Sequence, residues 1–164
     1  MPHFDAILEE KIRLKEAFLK NQNIVNLLMN KGNNMAEFED VKTGRKSPAA
    51  EYIKTHFHVP GTQQKDSNYI SMRGRVEYAD TDAVKETNIV IYIICNDDQI
   101  DLLQGSRADF LANEVDQVLN NGDTLFGLGG IRIGVAEEIQ FADGFSGWQL
   151  PYTTHEFNRK AEAL

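Results

Sequence analysis

Apolar positions near the start of the chain recur at helical spacing: Phe4, Leu8 and Ile12, then Leu14, Phe18, Val25 and Leu28. Good helix formers fill the gaps, so Phe4 to about Met29 reads as helix. Asn21-Gln22-Asn23 interrupts it, either as a kink or as a second N-cap, and Asn30-Lys31-Gly32 is a stop signal. Residues 33–66 lose the pattern; Asn33-Asn34, Gly44, Pro48, Pro60 and Gly61 punctuate a long polar connection with few apolar positions spaced for a core. Within it, Ser47-Pro48 reads as the cap and first position of a short helix running to about Thr55. The rest is expected to be partly mobile until the protein assembles.

The second half is patterned for strands. Ile70, Met72, Gly74, Val76 and Tyr78 alternate with polar residues, giving a half-buried strand over Tyr69–Tyr78. Ala79 to Glu86 is polar and acidic and reads as a turn. Asn88–Asn96 encloses Ile-Val-Ile-Tyr-Ile-Ile-Cys, apolar on both faces, and so reads as a central strand covered on both sides. The connection is too short for a crossover, which makes the pair antiparallel. Asp97–Gly105 is a connection. Ser106 caps a helix to Asn120 with one stripe of Phe110, Leu111, Val115, Val118 and Leu119. Leu128–Val135 is strand-like, continues through Ala136–Phe141 past a bulge at Gly134, and turns at Asp143-Gly144. Trp148–Phe157 is a last strand, whose Pro151 places it at a sheet edge or a bulge.

The predicted fold is α+β: a four-stranded, mainly antiparallel sheet with two helices packed on one face and a long loop between the first helix and first strand. Residues 1–157 form one domain, with 158–164 a polar C-terminal tail. The over-apolar strand Asn88–Asn96 needs cover on its second face, from the 33–66 loop or from a neighbouring subunit.

Composition narrows the functions. The chain has 164 residues, 25 acidic against 17 basic, and a net charge of −8. That balance argues against gripping nucleic acid on a basic face. A single cysteine, Cys95, excludes an internal disulfide and a paired-cysteine zinc site. Met1-Pro2-His3-Phe4-Asp5 lacks the basic and apolar regions of a signal peptide, and no apolar run approaches the roughly 20 residues that span a bilayer. A soluble protein made in the cytoplasm is expected.

Candidate chemistry is sparse. Gly127-Leu128-Gly129-Gly130 fails as a dinucleotide fingerprint, because Arg132 stands where the third glycine belongs and a strand follows instead of a helix. His56 and His58 flank Phe57 at a spacing that metal sites use, but a third ligand would have to come from afar: Glu51, His155 or His3. A small metal-dependent hydrolase built on His56 and His58 is therefore the outlying alternative. Asp97, Asp98 and Asp101 do not match a calcium-loop spacing and read as solvated, as do Glu77, Asp80, Asp82 and Glu86. Cys95 has no basic neighbour in sequence to activate it and reads as a core residue. Arg73 and Arg75 share one side of their strand, facing either an acid across the sheet or one across a subunit boundary. No catalytic, cofactor or metal site is assigned.

Several stretches, in order, carry a family likeness: the helix ending in Ile24-Val25-Asn26-Leu27-Leu28; Phe57-His58-Val59-Pro60-Gly61-Thr62-Gln63 leading to Asn68-Tyr69-Ile70; Ile89–Cys95; Ser106-Arg107-Ala108-Asp109; Phe126-Gly127-Leu128-Gly129; and Gly147-Trp148-Gln149-Leu150-Pro151-Tyr152. From about Ala6 to Phe157 this arrangement resembles the tail terminator, or tail completion, proteins of long-tailed bacteriophages. It departs from them in its long polar 30–66 region. The resemblance implies a non-enzymatic head–tail connector subunit of the virion, assembled in the host cytoplasm, forming a homo-oligomeric ring, commonly a hexamer. The ring would cap the tail tube, end its polymerisation and meet the head-closure connector, while DNA passes through the bore without specific binding. A head-closure or adaptor (neck) protein of the same machinery is the nearest alternative. No cofactor or membrane is implied, and no interface residue carries over.

Overall fold

A computed structural model describes residues 4–58, 60, 67–78, 84–121 and 132–157. The N-terminal helical segment is two helices, α1 (Phe4–Lys20) and α2 (Gln22–Met29). Asn21 separates them in an extended conformation, and its side-chain oxygen accepts from the Ile24 N–H at 3.0 Å. Such a cap is worth about 1 kcal/mol, because it satisfies one of the donors a helix start leaves open.

Residues 33–58 are more structured than their composition suggests. They carry short 3₁₀ turns at Met35–Glu37 and Pro48–Tyr52, the second capped by Ser47, followed by a two-residue strand, β1 (Ile53–Lys54). Ala49 and Ile53 are fully buried, and Met35, Phe38 and Val41 pack on the same core. Asparagines hold the segment to α2. Asn26 Nδ2 donates to Asp40, Asn26 Oδ1 accepts from the Val41 N–H, and Asn30 exchanges bonds with the Glu39 backbone in both directions. The predicted short helix at Ser47-Pro48 is thus present, but it gives way to strand at Ile53 before reaching Thr55.

β2 (Tyr69–Tyr78) and β3 (Val84–Asn96) pair antiparallel, from Tyr69 opposite Ile94 to Tyr78 opposite Lys85. The acidic stretch expected as a turn therefore already belongs to β3 from Val84; residues 79–83 lie outside the described residues. A small hairpin of β4 (Asp101–Leu102) and β5 (Gly105–Ser106) leads into α3 (Arg107–Asn121). Beyond it lie β6 (Arg132–Ile133), β7 (Glu137–Ala142) and β8 (Phe145–Phe157), the last two joined by a turn at Asp143-Gly144 with Gly144 at φ +87°.

Among the described residues the sheet has six strands in the order β1-β2-β3-β8-β6, with β7 also on the outer side of β8. β1 is parallel to β2 and the remaining pairs are antiparallel, so the sheet is mixed. The α+β class holds. The count of four strands and two helices does not, for physical reasons: Asn21 splits the first helix, β1 is too short to show a period of two, and the segment after residue 131 is broken at Gly134–Ala136 into β6 and β7. The strand Trp148–Phe157 is also not an edge: β8 lies between β3 and the β6/β7 pair. Pro151 is tolerated there because it faces that break, where its carbonyl accepts from the Gly134 N–H at 2.7 Å and its missing donor is not needed.

The three helices lie on one face. Leu14, Phe18, Ile24, Leu27, Leu111, Val115 and Leu119 interlock with Ile70, Met72, Ile89, Ile91, Ile93, Leu150 and Tyr152 from that side of the sheet. Alternate residues build a second, smaller cluster on the opposite face: Tyr69, Tyr92, Ile94 and Phe145, joined by Tyr52, Val90 and Phe141. The chain itself supplies cover for this face. Residues 55–58 cross the β1 margin so that Phe57 meets the Tyr92 ring at 4.7 Å and His58 meets Tyr69 at 5.6 Å. Of the two sources of cover expected for Asn88–Asn96, the loop contributes within the monomer.

Candidate functional site

The α2 end, the small hairpin and the start of α3 meet at one junction. Its centre is Arg107, fully buried at the first position of α3. Its Nε donates to the Gln99 carbonyl at 2.8 Å, Nη1 to the Leu27 carbonyl, and Nη2 to the Gly32 carbonyl at 3.0 Å; the guanidinium carbon lies 5.4 Å from the Phe38 ring centre. Leu27 belongs to the last turn of α2, where carbonyls lack helical partners and the helix dipole is negative. The cation therefore closes that helix end and fastens it to two loops, and burial pushes its pKa below the ordinary arginine value. Arg107 carries no motif in the sequence that marks this role. The only signal was its place at the head of α3, since its partners are main-chain atoms.

Side chains of α3 tie the helix to its neighbours. Asp109 accepts from Trp148 Nε1 at 2.7 Å and Asp116 accepts from the Tyr152 hydroxyl at 2.9 Å. Seven residues of helix rise about 10.5 Å, and four residues of strand span about 13 Å. The two rungs therefore match one helix face to one strand face. On another side of α3, Glu114 accepts from Asn21 and Asn23 of the α1–α2 junction.

The sequence-derived candidates fall apart as a catalytic set. Cys95 is fully buried at the end of β3, and burial pushes its thiol up to about 12 despite the nearby Arg107 charge. His56 is exposed and His58 half-buried against Tyr69; their rings meet edge to face, 6.1 Å apart. Glu51 and His56 line one cleft outside β1, whereas His3 lies outside the described residues, as does the side chain of His155. Among the described residues no three His, Cys, Asp or Glu side chains are grouped to hold a metal ion. Asp97, Asp98 and Asp101 are exposed; Asp97 and Asp98 share a cleft of about 220 Å³ with Asp143. Register sets Glu77 opposite Glu86, while Asp80, Asp82 and the Gly127–Gly130 run lie outside the described residues. Arg73 stands opposite Val90 and Arg75 opposite Asn88 in the strand register.

The described polar groups thus bond mainly to the chain's own backbone and between its layers, in a small α+β protein. The chain matches the YomW family over residues 21–154 and belongs to it. That family name derives from the SPBc2 region of a Bacillus phage, which is consistent with a phage protein. No curated protein matches the chain. Among the described residues no helix is long and apolar enough to cross a membrane.

Proposed function

We propose that this protein is a structural virion subunit that forms a ring at the head–tail junction, caps the tail tube, ends its polymerisation and joins the tail to the head-side connector. The observation that carries this reading is the ordered likeness to tail terminators across Ala6–Phe157, taken with membership of a family whose name is phage-derived. The fold is compatible with it. Among the described residues no further strand pairs beyond β1 on one side or β6 and β7 on the other, and the described side chains bond mainly to backbone atoms. The partners in this reading are copies of the chain, the tail tube protein and the head-closure protein. A net charge of −8 per subunit favours free passage of DNA through the bore by like-charge repulsion.

Electron microscopy of particles lacking this protein tests the role. Overlong or unjoined tails are the expected outcome. Tails of normal length joined to heads would refute it, and a ring whose bore is lined with Lys and Arg would refute the free-passage argument.

A further inference from the structure

The two margins of the sheet present different charged groups. On one side, β1 and α1 border a cleft of about 370 Å³ lined by Lys15, Ala50, Glu51, Ile53, Lys54, Thr55 and His56. Among the described residues neither Lys15 nor Lys54 has an ion-pair partner. Glu51 also lines the cleft but makes no ion pair with either lysine. Desolvation, with the Lys54 charge beside it, lowers the Lys15 pKa, so a carboxylate entering between the two lysines would relieve their repulsion. On the opposite side, the break between β6 and β7 presents Val135, which is 74% exposed, followed by exposed Glu137 and Glu138.

The faces also correspond. Glu138 pairs with Trp148, which packs on the helix side of the sheet, and Glu137 pairs with Gln149, on the other side. At the far margin Lys15 comes from α1 on the helix side. Lys54 pairs with Ser71 and so lies on the other side. Strand direction agrees as well. β1 is parallel to β2, and each step from β2 through β3 and β8 to β7 reverses direction, so β1 and β7 run opposite ways. A second copy set beside the first without inversion would bring antiparallel edges together, the more stable pairing.

We propose that copies of this chain dock head to tail, the β6/β7 margin of one against the β1/α1 margin of the next. Val135 enters the cleft, Glu138 faces Lys15, and Glu137 faces Lys54. Repetition of a heterologous contact of this kind closes into a ring when the rotation per copy allows it. The contact deepens the ring reading given above and rests on it for that closure.

Charge exchange tests the contact on the full chain. Sedimentation velocity over a concentration series should show wild-type self-association. K15E/K54E and E137K/E138K should each associate at least about tenfold more weakly, since like charges then face each other across the contact. An equimolar mixture of the two variants should regain the wild-type behaviour, because each supplies the margin that fits the other. Val135→Asp, at an exposed position, should weaken association similarly with unchanged thermal unfolding, and it decides the matter if a double variant fails to fold. Swapped variants that associate like wild type, a mixture that stays dissociated, or a wild type that remains single throughout would each overturn this contact. Tail-end micrographs judge the ring itself separately: a ring there with undisturbed charge variants means that another surface builds it.

Discussion

Replacing Arg107 by alanine removes a guanidinium that three main-chain carbonyls face, leaves the Leu27 carbonyl buried without a donor, and deletes the bonds to the part-buried Gln99 and Gly32 carbonyls. The expected loss is about 3 kcal/mol or more, read as a lower denaturant midpoint at unchanged slope. Arg107→Lys should recover only part of it, because a single ammonium keeps the charge but cannot reach three divergent acceptors as a planar fork does. A loss below about 1 kcal/mol, the level of an ordinary hydrogen bond, would mean that the junction does not depend on this side chain. Arg107 was visible in the sequence only as a residue at a helix start. A main-chain carbonyl has no letter of its own, so the three partners that give the arginine its role could not be read. Asn21 was legible for the opposite reason: its cap is local, made to a backbone group three residues on.

At the level of elements, the join of β8 to β3 is the tightest contact. Gly147 stands opposite Ile94, and a Cβ added there would lie 1.7 Å from the Ile93 carbonyl oxygen. The obstacle is backbone in the sheet interior and cannot swing aside. Gly147→Ala is therefore expected to cost about 3 kcal/mol or more, at the upper end of overpacking penalties, measured by chemical denaturation; near-neutral behaviour would show that the strands can separate there. Gly144→Ala should cost less, because that glycine has open space around it and carries only the strain of a positive φ. The long strands and α3 were legible, since each repeats its pattern over many residues. β1 and β6, two residues each, were not: pairing with a long neighbour makes them strands, and no periodicity announces it.

For the molecule as a whole, stability should depend on alkaline pH in a known direction. The Cys95 thiol is pushed up to about 12 by burial, and Tyr152 is raised too, by burial and by its bond to Asp116. Both groups hold their proton more tightly when folded. Their contribution is complete below the unfolded values, near 8.5 for a thiol and 10 for a phenol, and is lost as pH rises through the folded ones. Unfolding free energy should thus be level near neutrality and fall progressively above about pH 9. In the same range the native thiol should resist a thiol-specific reagent that labels it at once in denaturant. Rapid labelling of native protein at neutral pH would show that the end of β3 opens to solvent. The apolar run of β3 on both faces shows in the sequence that it needs cover on two sides, from the loop or from a neighbour. The loop contributes through Phe57 on Tyr92 and His58 on Tyr69.

The α+β class, the long helices and strands, the antiparallel β2–β3 pair and the core placement of Cys95 are written in the amino-acid order, because each follows from a period, a cap or a run that neighbours along the chain can express. Folding alone shows that β8 is interior, that a parallel strand closes one margin, that Arg107 fastens helix to loops, and that Lys15 and Lys54 stand at the margin opposite Glu137 and Glu138. Those features join residues far apart in the chain, and their energies come from backbone pairing and desolvation, which take form only once the layers have met.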